Sequence, residues 1–249
     1  MKTIALYNNK GGVGKSTSVI NIAYILAIIF GYRVLVADTD GQQNTARFFA
    51  DALPDTGVED LLLDNSLSPA AALSRTRYKR IDLLSSTDRM NRCAEQFGAL
   101  SPKSQHQHTE RLLSYFRDSY DYLLVDMPPA LNCVTETLLG CADGVLVPIE
   151  LGTFSIQGIA KVTNSINRVG GSFLGCYIAK YDHENKADAD LKELLTDTRG
   201  SKVFDAVIPY SRIIRNSTNY RLTAYEYMHW QAPVKRYIEL TDEIIRKVD

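Results

Sequence analysis

Short apolar runs closed by turn residues alternate along this chain with longer stretches of helical period. Thr3 to Tyr7 is a short apolar strand, followed by a glycine-rich loop. Val19 to Phe30 is an apolar run of about 12 residues, against the roughly 20 a helix needs to cross a bilayer, and predicts a buried helix on a sheet. Arg33 to Ala37 is a second strand, rich in β-branched residues. Asp51 to Leu73 is a helical and turn region punctuated by Pro54 and Gly57. Ile81 to Leu84 predicts a strand leading to a helix N-cap at Ser85-Ser86-Thr87-Asp88. The polar stretch Ser101 to Gln107 is expected to be a loop. Leu112, Leu113 and Phe116 make one helical face within Thr109 to Tyr120. Tyr122 to Val125 is a strand ending in Asp126, stopped by Pro128 and Pro129. Gly144 to Ile149 is an unbroken apolar run, as in a buried parallel strand. An amphipathic helix over Phe154 to Arg168, strands at Phe173 to Ala179 and Val203 to Pro209, and a helix over Val234 to Val248 complete the series. Strand after helix after strand predicts an α/β fold: a mostly parallel, twisted sheet with helices on both faces. No Gly/Ser or Pro linker divides the chain and no internal repeat is visible, so residues 1–249 are expected to form a single domain.

Composition narrows the function classes. With 45% apolar residues the chain can bury a sizeable core, and a formal net charge of −1 excludes a global polycation, so any nucleic-acid surface must be local. Cys93, Cys133, Cys141 and Cys176 show no Cys-x-x-Cys or zinc spacing, which fits reduced thiols in the cytosol. Met1-Lys2 leads straight into the first strand, so no signal peptide is expected.

The chemistry concentrates in Asn8-Asn9-Lys10-Gly11-Gly12-Val13-Gly14-Lys15-Ser16-Thr17, between an apolar strand and an apolar helix. That is the context of a P-loop, as in the nucleotide triphosphatases. Glycines let backbone N–H groups turn toward an anion, and the helix N-terminus adds unpaired donors. In such a loop Lys15 reaches the β- and γ-phosphates and the Ser16 hydroxyl meets Mg²⁺. Asp38 and Asp40 follow the second strand, on its carboxyl end, where parallel sheets bind ligands. Near a triphosphate these carboxylates can hold metal-bound water or orient an attacking water; a strand-to-loop turn rich in Asp and Asn is the plainer alternative. Asp126 has the strand-end position of an acid that holds water on Mg²⁺.

Position 9 carries Asn where the general motif has glycine, and a second lysine, Lys10, precedes the glycine pair. This Lys-Gly-Gly-Val-Gly-Lys-Ser form resembles the deviant Walker A loop of the ParA/MinD family of ATPases. The likeness extends over nearly the whole length: Gly57-Val58-Glu59-Asp60-Leu61-Leu62-Leu63, which matches a short helix of that family, Tyr120-Asp121-Tyr122, Asp126-Met127-Pro128-Pro129, Ala142-Asp143-Gly144-Val145-Leu146-Val147-Pro148 and Val207-Ile208-Pro209-Tyr210-Ser211. It is strongest toward ParA (Soj-like) partition ATPases lacking an N-terminal helix-turn-helix. The resemblance implies ATP and Mg²⁺ as cofactors. It implies nucleotide contacts from Lys10, Gly11, Gly12, Val13, Gly14, Lys15, Ser16 and Thr17, and catalytic roles for Lys10, Lys15 and Asp40. Lys10 would reach across a sandwich homodimer to the partner's ATP, Asp40 would position the hydrolytic water, and Ser16, Asp38 and Asp126 would serve the metal. Pro209 and Tyr210 would lie against adenine, unless they are core and turn residues. The family writes Asp-x-Asp-Pro-Gln-x-Asn where this chain has Gly41 in place of proline, which is expected to loosen that loop.

Between Tyr210 and Arg236 stand Arg212, Arg215, Arg221, Lys235 and Arg236 against a single acid, Glu226, interleaved with Tyr210, Tyr220, Tyr225, Tyr227 and Trp230. Such a cluster can neutralise phosphates without reading bases; a solvated basic edge over packed tyrosines is the alternative. The resemblance implies non-specific double-stranded DNA as partner, a ParB-like centromere-binding protein that triggers hydrolysis, and a cytoplasmic, nucleoid-associated location. A MinD-like ATPase positioning membrane or other cargo is a second reading. Against it, Glu239, Asp242 and Glu243 break up Lys235, Arg236, Arg246 and Lys247 on the final helix, so no membrane association is expected and the helix should pack on its own core. A remoter one is an iron–sulfur protein resembling the nitrogenase iron protein, with Cys133 and Cys93 as ligands, although the glycines that flank those cysteines there are missing. A bacterial tyrosine kinase would need a tyrosine-rich tail, and this chain ends Lys247-Val248-Asp249.

Overall fold

The computed structural model describes residues 1–152 and 155–248. In chain order the elements are β1 (Lys2–Leu6), α1 (Lys15–Tyr24), β2 (Val34–Asp38), α2 (Asn44–Phe49), α3 (Val58–Leu63), β3 (Leu73–Arg75), β4 (Ile81–Ser85), α4 (Met90–Gly98) and α5 (Pro102–Phe116). There follow β5 (Tyr122–Asp126), α6 (Cys133–Cys141), β6 (Gly144–Ile149), α7 (Ser155–Arg168), β7 (Phe173–Ile178), α8 (Lys186–Arg199), α9 (Arg212–Asn219), α10 (Ala224–Met228) and α11 (Ala232–Val248). Among the described residues the strands form one seven-stranded sheet in the order β3-β4-β2-β5-β1-β6-β7. Every pairing is parallel except that of β3 with β4.

Side chains along a strand alternate between faces, and here both faces are apolar. Ile4, Leu6, Val34, Val36, Tyr122 and Leu124 enter one core with α1, α2 and α11. Ala5, Tyr7, Leu35, Ala37, Leu123 and Val125 enter the other with α3 to α7. The expectation of a mostly parallel sheet covered on both sides is met. So is that for the final helix: Val234, Tyr237, Leu240 and Ile244 are buried in the first core, and the buried Glu243 carboxylate accepts N–H bonds from Asp205 (3.0 Å) and Ala206 (3.2 Å). Among the described residues no helix is long and apolar enough to cross a membrane.

Register sets up the site. Leu6 of β1 lies opposite Asp126 of β5, and Asp126 lies opposite Asp38 of β2. The loop leaving β1 therefore emerges beside two strand-end carboxylates, one strand spacing of about 4.8 Å from each other.

Several elements depart from the sequence pattern. Val19 to Phe30 is helical, but its last turn, Ile25–Ile29, widens so that Phe30 N–H reaches the Ile25 carbonyl (3.0 Å), and Ile28, Ile29 and Phe30 emerge from the core. Ser101 to Gln107 is not a loop: the Ser101 hydroxyl accepts from Ser104 N–H, Pro102 occupies the first turn, and α5 starts there. Ser85 to Asp88 does not cap α4, which begins after Arg89; Thr87 instead turns toward the buried Glu59 carboxylate. Val203 to Pro209 forms only isolated bridges, Val203 with Cys176 of β7 and Pro209 with Tyr181 beyond it. The N–H groups of Asp205 and Ala206 bond Glu243 in place of a strand, which keeps the run from becoming a ladder. The amphipathic helix α7 is present from Ser155; Phe154 lies outside the described residues. The short helices α2, α9 and α10, the three-residue β3 and the polar α8 carry too little apolar period to be read from sequence.

One glycine tests the sheet. The β6–β7 register slips between Val145 and Leu146, and Gly175 takes φ 152° there. A Cβ at Gly175 would meet the Lys202 carbonyl at 2.7 Å and the Phe204 ring at 2.8 Å. Gly175→Ala is therefore expected to cost about 1–3 kcal/mol of unfolding free energy in urea titrations. An unchanged midpoint would show that this edge of the sheet yields freely.

Candidate nucleotide-binding site

Between β1 and α1, Gly12 and Gly14 take positive φ of 75° and 98°. Open space surrounds both, so it is the left-handed backbone that selects glycine there. Asn8 pins the loop to the sheet: its Nδ2 donates to the Pro148 carbonyl (2.8 Å), and its Oδ1 accepts from Lys10 N–H (2.9 Å). The N-terminus of α1 has Gly14 at its cap and no side chain on its free N–H groups. Lys15 opens that helix, is 7% exposed, and curls over the loop to donate to the carbonyls of Asn8 (3.0 Å) and Lys10 (3.4 Å). Burial lowers its pKa, against the opposing pull of Asp126 and Asp40. A buried ammonium held only by carbonyls, above unpaired helix donors, is suited to an anion.

The carboxylates divide into different environments. Asp126 is 1% exposed; its Oδ2 accepts from the Thr45 hydroxyl at 2.6 Å, while its Oδ1 is buried without a hydrogen-bond partner. Burial raises its pKa, against the pull of Thr45, Ser16 and Lys15. Asp38 is fully buried and its two oxygens accept backbone N–H bonds from Asp40 (3.1 Å) and Ala46 (2.8 Å), so it holds the following loop and the start of α2. Burial, with Asp126 nearby, raises its pKa as well. Asp40 is half-buried on the loop beyond. Gly41 does not leave that loop open: Gln43 N–H closes a turn on the Asp40 carbonyl (2.9 Å), Ser86 Oγ donates to the same carbonyl (2.8 Å), and Gln43 Nε2 donates to the Ser86 carbonyl (2.6 Å).

Lys10 points the other way. Its side chain is 58% exposed and its ammonium stands 3.7 Å from Glu150, the carboxylate that also meets Lys180 at 3.3 Å. Lys180 in turn donates to the Gly12 carbonyl. Pro209 and Tyr210 line a cavity of about 360 Å³ together with Gly14, Thr17, Lys180 and Arg215. The structure thus brings Lys15, Ser16, Asp40 and Asp126 together at the carboxyl ends of the strands, near enough to act on one another's charges, while Pro209 and Tyr210 line the cavity beside Gly14 and Thr17.

The basic cluster is split. Arg212 and Arg215 are exposed on α9, and Lys235 and Arg236 are exposed on the first turns of α11, where Arg236 pairs with Glu239 at 2.6 Å. Arg221 is different: it bridges to Asp51 at 2.5 Å and donates to the carbonyls of Phe48 and Ala50, tying the α9–α10 turn to the end of α2. Cys93 is 1% exposed, burial raises its thiol to about 12, and it faces the Glu59 carbonyl; the Cys133 thiol donates to the Ala94 carbonyl at 2.9 Å. Sequence reasoning missed Asn8, Thr45, Glu150 and Lys180. Thr45 and Glu150 carry no local pattern, whereas Asn8, at the first position after the strand, was open to being noticed as an anchor.

The model of a family described as AAA domain matches residues 1–173. The chromosome partitioning protein ParA of Caulobacter vibrioides is 28% identical over 255 residues, covering 99% of this chain and 95% of its own. The chromosome-partitioning ATPase Soj of Treponema pallidum is 27% identical over 252 residues, covering 99% and 98%. Among solved structures, apo McdA of Cyanothece superposes with a TM-score of 0.86 at 20% identity, over 98% of this chain and 99% of that one. A cobyrinic acid a,c-diamide synthase of Mycobacterium smegmatis, with bound ATP analogue and magnesium, gives 0.82 at 24% identity over 99% and 95%. The family match spans most of the chain, relatives align from end to end, and the doubled lysine stands on the loop between β1 and α1; this chain belongs to the AAA domain family and is one of its ParA/MinD-type deviant Walker A ATPases.

Proposed function

We propose that residues 1–249 form a single ATP-driven switch of the partition type, in which ATP closes a homodimer that binds DNA without reading its sequence. The observation that carries this reading is the conjunction of a buried Lys15 held by the carbonyls of Asn8 and Lys10, an α1 N-terminus without a side-chain cap, and, among the described residues, a buried Asp126 Oδ1 without a hydrogen-bond partner. An orphaned buried carboxylate oxygen beside the Ser16 hydroxyl fits a hard cation. Ser16 and Asp126 are the residues that would hold Mg²⁺, which would supply positive charge to offset that of the phosphates. Asp38 acts through the loop, by fixing the Asp40 backbone.

Within the site the chain's own groups divide the work. The N–H groups of Gly11, Gly12, Val13, Gly14, Ser16 and Thr17 receive the phosphates. Lys15 leaves its carbonyl partners for the β- and γ-phosphate oxygens and stabilises the charge that builds up there. Asp40 accepts a hydrogen bond from a water in line with the γ-phosphate and orients its attack. Lys10, exposed and lightly held, is placed to complete the site of a second subunit. Pro209 and Tyr210 wall the base cavity. Arg212, Arg215, Lys235 and Arg236 are the DNA phosphate contacts, while Arg221 serves as a brace. A ParB-like protein is the partner proposed to trigger hydrolysis, and the cytoplasm, on the nucleoid, is the proposed location. A MinD-like role with other cargo is the second reading, favoured by the pairing of Arg236 with Glu239, which weakens the basic surface.

Lys15→Ala is expected to abolish nucleotide binding in fluorescence titrations. Asp40→Ala is expected to bind ATP as the wild type does yet turn it over about a hundredfold or more slowly; turnover at the normal rate would remove Asp40 from the mechanism. Exchange of Lys235 and Arg236 for alanine should weaken retention of any duplex alike and lower the salt slope by about one per lost contact. Arg221→Ala should instead lower the melting temperature by a few degrees; loss of DNA binding with unchanged melting would place it on the DNA.

A pH dependence follows from the buried carboxyl of Asp126. Its pKa is raised in the folded chain, so the folded state binds more protons than the unfolded one, and stability present at low pH is lost as pH rises through the folded value. In nucleotide-free, metal-free buffer the wild type should therefore melt progressively lower than Asp126→Asn as pH rises from about 4 to about 6, the difference levelling off above that. A constant difference would mean that the carboxyl ionises without cost.

A further inference from the structure

Away from the nucleotide crevice, on the other face of the sheet, α5 carries His106 and Glu110 one turn apart, and α6 ends beside them at Cys141. We propose that His106, Glu110 and Cys141 form a binding site for a borderline-soft divalent transition metal, Zn²⁺ foremost, that clamps α5 to α6.

Residues four apart share a helix face, so the His106 and Glu110 side chains project together. Cys141 comes from a different helix, which makes the site depend on the packing of two elements and not on chance proximity along one. One ligand atom from each of the three residues lies within 4.8 Å of the others, and the Cys141 Sγ is 3.3 Å from His106 Nδ1. Ligands held tetrahedrally at about 2.0–2.3 Å from zinc lie about 3.3–3.8 Å apart. The sulfur–nitrogen pair already stands at that separation, and a Glu110 carboxylate oxygen lies within 4.8 Å of both. A nitrogen, an oxygen and a sulfur donor select zinc or its neighbours over Mg²⁺ and Ca²⁺, which take oxygen. Three protein ligands leave a fourth position for water. His106 is exposed and the other two are half-buried, so an ion has a path in. None of the three belongs to the phosphate loop or its carboxylates, and the site is independent of the nucleotide.

The test is a Co²⁺ titration of the full chain, reduced and stripped with chelator, without nucleotide and in excess Mg²⁺. One equivalent of Co²⁺ per chain should give a thiolate-to-cobalt charge-transfer band with the strong visible absorption of a tetrahedral ion, and Zn²⁺ should displace it. Cys141→Ser should abolish the charge-transfer band, and Cys133→Ser should leave it intact. His106→Ala should weaken affinity by about tenfold or more, since even groups that only support a ligand cost that much. Zn²⁺ should raise the melting temperature of the wild type and not that of Cys141→Ser. No charge-transfer band in the folded wild type, or a band that survives in Cys141→Ser, would overturn the assignment. If Cys141→Ser does not fold, His106→Ala, altered at an exposed position, decides: undiminished cobalt affinity there overturns the site equally.

Discussion

The buried Asp126 carboxylate, bonded by Thr45 at one oxygen and, among the described residues, without a hydrogen-bond partner at the other, is the constraint on which this structure turns. A carboxylate oxygen without a partner inside a protein is costly, and it persists only where the surroundings hold it firmly. Here they do so through the sheet. Asp126 ends β5, which is flanked by β1 and β2, so the loop leaving β1 and the carboxylate of Asp38 are fixed on either side of it by backbone register alone. The Thr39 hydroxyl and N–H both bond the Asp126 carbonyl, at 2.9 and 3.0 Å, which ties the start of the Asp40 loop to the same residue. A cation that satisfied the free oxygen would act on β1, β2 and β5 together.

The two faces of the sheet are used differently. The core under α1, α2 and α11 lies behind the phosphate loop: α1 carries Lys15 and Ser16, and the chain of hydroxyls Tyr177, Ser18 and Tyr237 (2.5 and 3.1 Å) joins its first turns to β7 and α11. The opposite core, under α3 to α7, holds the Asp40 loop from behind through Glu59, Thr87 and Ser86. Movement of Asp40 during turnover would be felt on that side first.

How much of this was legible in sequence depended on whether a residue's role was local. The phosphate loop was legible because positive φ at Gly12 and Gly14 leaves a glycine signature, and because the strand and helix around it are strongly apolar. Strand-end acids were legible because they close apolar runs. Long-range partners were not: the Glu243 carboxylate replaces strand pairing at Asp205 and Ala206 from 38 and 37 residues away along the chain, and nothing near either residue announces it. Likewise Arg221 looked like its basic neighbours until Asp51 was seen beneath it. The Ser101 cap was local and readable, but the polar composition of Ser101 to Gln107 outweighed it.

The central claim is that nucleotide state gates DNA binding. Its most direct measurement is a mobility shift on a random-sequence duplex with ATP, with ADP and without nucleotide, across a salt series. The account predicts retention with ATP alone, weakening steeply as salt rises. Equal retention in all three states, or none in any while ATP is still hydrolysed, would contradict it.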